Sequence, residues 1–274
     1  MTLLTVDPER CDRDGRCIAA CPAGIIAFSE KGTLPAMVAG GEDFCIRCGH
    51  CVAVCPRDAM THRVMGPADC PPFHPERLPD PDQAEHFLRA RRSIRNYRRQ
   101  PVPRETLTRL IGIASHAPSG HNRQPVHWRV IYRRPEIERL NGIVIDWMRH
   151  LIDQGSPLAE AMHLDRVVAA QAEGKDRICR GAPHLVAAHA PEDERTAPAA
   201  CTIALTYFDL AAVSFGLGTC WAGYFNAAAN FWPDMRAALE LPPGHTTFGA
   251  LMVGYPRFTY HRLPRRKPPR VTWK

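Results

Sequence analysis

The sequence lacks two features that would place the protein in or across a membrane. Its first residues, Met1–Arg10, contain neither a basic start nor the apolar run of a secretory signal peptide. The most apolar later segment, roughly 197–217, contains Asp209 and several hydroxyl side chains, which membrane spans rarely carry. We therefore predict a buried helix at this position and a cytoplasmic protein without a membrane partner.

A massed run of basic residues is also missing, although the formal net charge is +7. Up to residue 65, seven lysines and arginines face eight acidic residues, so the positive charge lies in the remainder of the chain. The arginines there are distributed among separate motifs. This pattern favours an anionic cofactor or substrate over nucleic acid, and we expect no nucleic-acid partner.

The cysteines are concentrated at one end of the chain. Seven of the eleven lie in the first 55 residues at short spacings. In a protein without a secretion signal, such clustering indicates metal binding rather than disulfides. The second set reads Cys45-Ile-Arg-Cys-Gly-His-Cys-Val-Ala-Val-Cys-Pro56, the C-x2-C-x2-C-x3-C-P pattern of bacterial iron–sulfur proteins. Zinc is the weaker alternative, because zinc modules generally have two separated C-x2-C pairs.

The first cysteine set repeats the second without a gap. The correspondence pairs Cys11 with Cys45, Cys17 with Cys51, and Cys21-Pro22 with Cys55-Pro56. One position departs from the repeat, because Asp14 stands where the second set has Cys48. This internal repeat resembles the two-cluster bacterial ferredoxins over about the first 65 residues.

The resemblance implies a ligand set for each cluster, since in these ferredoxins the last cysteine of one set binds the cluster of the other. Cluster A is implied to be held by Cys11, Cys17, Cys55 and Asp14, and cluster B by Cys21, Cys45, Cys48 and Cys51. A carboxylate is a harder and weaker ligand for cluster iron than a thiolate. We therefore expect a 4Fe–4S cluster B, and a cluster A of different potential that is either Asp-ligated 4Fe–4S or 3Fe–4S. Alternatively, Asp14 is a loop residue beside an open iron site.

A proline-rich stretch predicts the domain organisation. Residues 66–82 contain six prolines, which forbid a regular helix and indicate a semi-rigid linker. The linker would join a ferredoxin domain over 1–65 to a second domain over 83–274. In the second domain the patterns predict a helix from near Gln83, helices over 106–115 and 199–215, strands over 126–132, 185–189 and 246–253, and amphipathic helices between 136 and 175.

Four motifs follow one another in the second domain. They are Arg91-Arg-Ser-Ile-Arg-Asn-Tyr97, Ala117-Pro-Ser-Gly-His-Asn-Arg-Gln-Pro125, Gly216-Leu-Gly-Thr-Cys-Trp-Ala-Gly223, and Gly254-Tyr-Pro256 followed by Leu263-Pro-Arg-Arg-Lys-Pro-Pro269. In this order they resemble the FMN-dependent nitroreductase family over 83–274. The resemblance implies an FMN cofactor and an α+β protein in which a ferredoxin-like iron–sulfur module precedes a nitroreductase-type α/β sandwich.

The first and last motifs are implied to bind the FMN phosphate and ribityl chain. Guanidinium forks and a hydroxyl group suit a phosphate, because they donate several charge-assisted hydrogen bonds. The residues assigned by the resemblance are Arg91, Arg92, Ser93, Arg95, Arg265 and Lys267. The alternative for these arginines is a solvated basic surface.

The second and third motifs are implied to contact the flavin itself. In the family the second motif reaches the flavin from the other subunit, which implies an obligate homodimer with contacts from Pro118, Ser119, Gly120 and Asn122. The alternative is a plain turn that ends a helix. In the third motif, glycines allow backbone to approach a flat ring, and N–H groups at Ala222 and Gly223 are implied to lie beside the flavin N5.

Two further residue types are candidates for chemistry. Cys220 has no visible histidine partner, so a buried small side chain is predicted rather than a nucleophile. Most histidines show no ligand spacing, and only His121, within the second motif, is a candidate substrate contact. No general acid can be identified, and the catalytic residues stay unassigned.

The two modules together predict an oxidoreductase. An external ferredoxin or flavodoxin is expected to reduce the clusters, the clusters to reduce FMN, and FMN to reduce a small acceptor such as a nitroaromatic, a quinone or an activated alkene. A nicotinamide donor is the first alternative. A non-catalytic redox carrier or sensor is the second, and a dehalogenase or flavin-consuming relative is the third.

Overall fold

The computed structural model describes residues 2–29 and 34–274. The chain divides into two compact units. The first comprises Met1–Leu78 with His121–Arg123, and the second comprises Pro79–Gly120 with Gln124–Lys274. The predicted linker contains the single 3-10 turns Pro67–Asp69 and Pro75–Arg77. Domain limits at residues 65 and 83 stay a prediction.

Short elements build the first unit. In chain order they are β1 (Leu4–Val6), α1 (Arg16–Ala19), β2 (Ile26–Phe28), β3 (Pro35–Met37), α2 (His50–Ala53) and β4 (Met60–His62). β1 pairs with β4 and β2 with β3, both antiparallel. The buried side chains between these elements include the thiols of Cys17 and Cys51, so the small core surrounds cysteines rather than aliphatic residues alone.

The sequence repeat of the first unit is also a repeat of backbone conformation. Arg13 and Arg47 have φ of 58° and 53°, and Gly15 and Gly49 have φ of 72° and 75°. The left-handed region is costly for residues with a side chain, so its recurrence at matching positions is a specific feature of the fold. α1 and α2 each begin directly after the glycine. Both cysteine loops therefore curl in the same way.

A four-stranded antiparallel sheet forms the centre of the second unit. Its strands are β5 (His127–Ile131), β6 (His184–Pro191), β7 (Gly218–Trp221) and β8 (His245–Gly254), in the order β5-β6-β8-β7. The helices are α3 (Pro81–Ala90), α4 (Arg104–Ala114), α5 (Arg134–Asp153), α6 (Pro157–Ala161), α7 (Leu164–Ala172), α8 (Ala197–Ser214), α9 (Gly223–Phe231) and α10 (Pro233–Leu239).

Helices cover both faces of this sheet. Successive side chains of a strand point to opposite faces, and in β6 Leu185 and Ala187 pack with α5, α7 and α9. Val186 and Ala188 pack with α4 and α8 on the other face. β6 is consequently apolar at almost every position, as expected for a strand buried on both sides. The mixture of helices and antiparallel strands confirms the predicted α+β class.

The predicted elements of the second unit are present with small shifts at their ends. α3 starts at Pro81, two residues before the predicted position. Asp80 caps this helix, because its carboxylate accepts the Gln83 N–H at 2.8 Å while the Gln83 side chain accepts the Asp80 N–H at 3.3 Å. Proline at the first helical position needs no N–H partner. The sequence patterns did not predict β7, because the strand is only four residues long and begins with a glycine.

By length and composition, α8 could cross a membrane, and 44% of Ala197–Ser214 is buried inside the protein. Its buried side chains, among them Leu205 and Phe208, pack against the sheet and α4 as in a core helix. Asp209 is also buried in this helix. It accepts a hydrogen bond from the Thr219 hydroxyl of β7 and pairs with the Arg91 guanidinium at 3.4 Å.

The Asp209 contacts predict a specific loss of stability. Burial raises the pKa of this carboxyl, while Thr219 and Arg91 oppose the rise. Asp209→Ala removes the partner of a mostly buried arginine, so we expect it to lower the free energy of unfolding by about 2–4 kcal/mol in urea titrations. Asp146→Ala, which breaks the exposed pair with Arg149, should cost at most about 1 kcal/mol. Equal losses in the two variants would contradict a special role for Asp209.

Candidate cluster and cofactor sites

One cavity of the first unit is lined by all four thiols implied to hold cluster B. They are Cys21, Cys45, Cys48 and Cys51. Buried aliphatic side chains, Ile25 and Ile26, form part of the same wall. Burial raises the pKa of the Cys51 thiol to about 11, and the nearby Cys48 and Cys21 act in the same direction. Metal binding must displace this proton, and the fit to an iron–sulfur cluster rests on the four thiols that line one cavity.

The cysteines implied to hold cluster A also approach one another. Burial raises the pKa of the Cys17 thiol, and the neighbouring Cys11 and Cys55 thiols raise it further. The Cys55 sulfur accepts the Ala59 N–H at 3.3 Å. The structure therefore brings a cysteine of the second set to the loop of the first, as the resemblance implies.

Asp14 has a partner other than a cluster in this structure. Its Oδ1 accepts the Arg16 N–H at 3.1 Å, and its Oδ2 lies 3.1 Å from the Arg16 Nε. The corresponding residue of the repeat, Cys48, lines the cluster B cavity. The structure thus gives the loop-residue alternative a physical basis, and the ligand role of Asp14 stays a prediction.

His62 is a residue of the cluster B cavity that the motifs did not single out. Its Nε2 lies 3.6 Å from the Cys45 sulfur, and its Nδ1 accepts the Val64 N–H at 3.1 Å. Burial lowers the pKa of His62, and the Arg47 and Arg63 charges lower it further. The internal repeat could have indicated His62, because the corresponding position of the first half is Phe28.

In the second unit, the first of the four motifs docks along β7. Ser93 forms a parallel bridge with Thr219, and the Ile94 N–H donates to the Thr219 carbonyl at 2.8 Å. A Cβ atom on Gly218 would lie 2.3 Å from the Ile94 side chain. Gly218 therefore makes room for Ile94. From the sequence, the glycines of the third motif were expected to make room for a flat ring instead.

Arg92 enters an open groove of the second unit. The groove is lined by Arg92, Ile94, Arg98, Thr219, Phe258 and Tyr260, among others. Arg92 Nη2 donates to the Arg89 carbonyl at 2.9 Å. Its Nε is buried and has no hydrogen-bond partner in the part of the chain that the structure describes. A buried N–H of this kind fits an anionic group such as a phosphate.

The other arginines of this motif make internal contacts. Arg91 pairs with the buried Asp209, and Arg95 Nη1 donates to the Ser93 carbonyl at 3.4 Å. Arg91 thus anchors the motif, and Arg92 has a buried Nε–H without a partner among the described residues.

The second motif begins at a separate crevice of the second unit, whereas Pro256 of the fourth motif lines the groove that Arg92 enters. Pro118 and Ser119 line a separate crevice beside α4, β5 and α8, and the Ser119 hydroxyl accepts the Gln124 N–H at 2.9 Å. Gly120 lies so close to Thr196 that a Cβ would be 2.6 Å from its methyl group. Arg265 and Lys267 are exposed in the C-terminal segment.

Asn122 belongs to the first unit. Its side-chain amide donates to the carbonyl oxygens of Ile46 and Arg47, both at 3.1 Å. A flavin contact would therefore compete with two hydrogen bonds that the amide already makes.

The backbone N–H groups of Ala222 and Gly223 were expected beside the flavin, and Gly223 is the first residue of a helix. The Ala222 N–H already donates to the Ala250 carbonyl at 2.9 Å. Gly223 is the first residue of α9, where backbone N–H groups lack acceptors within the helix. A Cβ on Gly223 would meet no atom within 4 Å among those described. Space beside this glycine is therefore available to a ligand. Cys220 is buried, as predicted.

Three histidines that looked unrelated in the sequence are neighbours at one end of the sheet. His189 Nδ1 lies 3.0 Å from His245 Nδ1, and the His127 ring is 5.5 Å from the His189 ring. Burial lowers the pKa of His189 to about 4, and His245 and His127 add to this effect. These three rings are not placed to hold one metal ion together. The buried His189 is therefore a neutral side chain packed against the other two rings.

Comparisons with known proteins agree with both motif groups. The model of the nitroreductase family matches residues 88–255, and that of a 4Fe-4S dicluster domain matches residues 3–56. A "NADH dehydrogenase" of Thermus thermophilus is 32% identical over 67% of this chain and 92% of its own length. A "5,6-dimethylbenzimidazole synthase" of Rhodospirillum rubrum is 26% identical over 70% of this chain and 90% of its own.

The fold is also that of solved nitroreductases. The crystal structure of a nitroreductase with bound FMN from Bacteroides fragilis covers 69% of this chain and 95% of its own, with a TM-score of 0.54 and 24% identity. With the family model spanning more than half of the sequence, the chain belongs to the nitroreductase family of oxidoreductases and carries a 4Fe-4S dicluster ferredoxin domain.

Proposed function

We propose that the chain is an FMN-dependent oxidoreductase in which the ferredoxin module delivers electrons to FMN, and FMN reduces an organic acceptor by hydride transfer. Iron–sulfur clusters supply single-electron transfer, and flavin connects it to two-electron chemistry. The observation that carries the proposal is the presence in one chain of a four-thiol cavity and a groove with an unpaired buried guanidinium N–H. Acceptors of the expected class are nitroaromatics, quinones and activated alkenes.

The proposed cluster ligands follow the contacts of the first unit. Cys21, Cys45, Cys48 and Cys51 would hold a 4Fe–4S cluster B, since they line one cavity. Cys11, Cys17 and Cys55 would hold cluster A, with Asp14 as its fourth ligand or as a neighbour of a 3Fe–4S cluster. All eleven cysteines are free thiols, which suits a reducing, cytoplasmic compartment.

The proposed FMN contacts come from two subunits. Arg92, Ser93, Arg95 and the Gly223 N–H would be provided by one chain, with Arg91 holding the motif in place. Pro118, Ser119, Gly120, Asn122, Arg265 and Lys267 would complete the site in a homodimer. In support of a dimer, apolar side chains of the C-terminal segment are exposed, with Phe258 at 58% and Trp273 at 90%. Such exposure is typical of segments that a partner covers.

The electron donor separates the proposal from its alternatives. An external ferredoxin or flavodoxin fits a module that receives single electrons. The relative named "NADH dehydrogenase" favours NAD(P)H as donor, and the relative named "5,6-dimethylbenzimidazole synthase" favours a reaction other than acceptor reduction. A carrier or sensor would hold FMN that no acceptor reoxidises.

The proposal predicts how the flavin is reduced. In anaerobic stopped-flow experiments, reduced ferredoxin should bleach the FMN, and Cys48→Ser should slow this step roughly tenfold or more, because it removes a cluster ligand. Cys70→Ser, at a half-buried cysteine outside both motifs, should leave the rate unchanged. If NADH or NADPH bleaches the flavin at catalytic speed and Cys48→Ser has no effect, the chain is a nicotinamide reductase instead.

A second prediction concerns Asp14. Asp14→Cys supplies the thiol that the repeat has at Cys48, so it should change the EPR spectrum and raise or stabilise the iron content of cluster A. Asp12→Cys, in the same loop at an exposed residue that pairs with Arg57, is the matched control and should leave both unchanged. Identical spectra for Asp14→Cys and the unmodified protein would exclude a ligand role.

A third prediction concerns the space beside Gly223. Gly223→Ala should leave the melting temperature of the FMN-free protein unchanged, since the new methyl group meets no protein atom. It should weaken FMN binding on the order of tenfold, measured by fluorescence titration, because the methyl group enters the cofactor space. Gly142→Ala, at a helical glycine that is equally uncrowded, should not alter FMN affinity. Unchanged affinity in Gly223→Ala would place the flavin elsewhere.

A further inference from the structure

The contact between His62 and Cys45 is built into the strand end of the first unit. His62 is the last residue of β4 and is only 2% exposed. Its backbone forms a bridge with Met65, with N–O distances of 2.9 Å in both directions. This tight turn brings the Val64 N–H to the ring at 3.1 Å. The imidazole is therefore oriented by the backbone on one side and by the sulfur on the other.

The hydrogen bond from Val64 determines which ring nitrogen carries the proton. A backbone N–H can only donate, so Nδ1 of His62 acts as an acceptor and is unprotonated. The ring proton is consequently on Nε2, the atom 3.6 Å from the Cys45 sulfur. The geometry is that of an N–H···S hydrogen bond directed at a thiolate ligand.

The other half of the module has no such donor at the matching position. The residue 34 positions before His62 is Phe28, and β2 and β4 occupy matching places in the repeat. Phe28 is 41% exposed and lies near Gly15, next to the first cysteine loop. A phenyl ring cannot donate an N–H. Cysteine sulfurs do receive backbone donors, as the Ala59 N–H to Cys55 shows, but the imidazole donor belongs to one half only.

We propose that His62 tunes cluster B by donating its Nε2–H to the Cys45 thiolate, raising the reduction potential of that cluster. This inference rests on the proposed function, since it needs Cys45 to be a cluster ligand. The reduced cluster carries one more negative charge, so its sulfurs are stronger acceptors, and a hydrogen bond stabilises the reduced form more than the oxidised form. Cluster B would therefore accept an electron more readily than it would without this hydrogen bond.

Redox titration followed by EPR tests the proposal on the full-length holoprotein. His62→Phe copies the residue of the other half and should shift the midpoint potential of cluster B to a more negative value, with cluster A unmoved. His62→Gln keeps an N–H donor near the Nε2 position and should restore most of the original potential. His74→Phe, at an exposed histidine that pairs with Glu76, is the control and should shift neither cluster.

Resonance Raman spectra distinguish a hydrogen bond from His62 to Cys45 from a purely structural role of His62. In the unmodified protein, exchange into D2O should shift the Fe–S(Cys) stretching bands of cluster B, and this shift should be lost in His62→Phe. Should His62→Phe fail to retain cluster B, His62→Leu and His62→Gln provide the comparison, and equal potentials in these two overturn the inference.

Metal analysis distinguishes the possible failures. If the unmodified protein assembles no iron–sulfur cluster, the proposed function fails with the inference. If both clusters are present and His62→Phe leaves the potential of cluster B unchanged, the role of His62 is overturned and the proposed function stands.

Discussion

One buried carboxylate holds together the walls of the groove that Arg92 enters in the second unit. Asp209 lies in the apolar helix α8, accepts the Thr219 hydroxyl of β7 and pairs with Arg91. Burying a charge is unfavourable unless it is paired and hydrogen-bonded, so these three segments are constrained to meet. Ile94 then docks against Gly218. Arg92 lines the groove next to these contacts, and its buried Nε–H has no partner in the described part of the chain.

In the first unit, the two halves repeat the same backbone conformation but carry different side chains at some matching positions. Left-handed residues at matching positions curl both cysteine loops in the same way. The side chains differ at two pairs of matching positions. Asp14 corresponds to Cys48, and Phe28 corresponds to His62. One half therefore has a carboxylate bound to Arg16, and the other has an imidazole bound to a cysteine sulfur. A nearly symmetric fold of this kind can hold two centres of different potential.

Spacing and periodicity sufficed to predict the long helices and the cysteine module, because short-range patterns determine them, and the family resemblance implied the α+β class. They did not predict β7, because the sequence around its Gly218 suggested a flavin contact. They also did not predict that Arg91 pairs with Asp209 rather than with a phosphate. Arg91 and Asp209 are 118 positions apart, and periodicity carries no information about such a contact. His62 was missed for a related reason, since its role depends on a turn that orients the ring. The ligand positions of Asp14 and of the FMN residues stay predictions.

In the proposed electron path, electrons enter through the clusters before they reach the flavin. Rapid freeze-quench EPR after mixing the anaerobic, oxidised protein with reduced ferredoxin tests it most directly. If electrons follow this path, the signal of reduced clusters rises first and flavin reduction follows at the expense of that signal. Flavin reduction that precedes the cluster signal, or proceeds at full speed while the clusters stay oxidised, would contradict it.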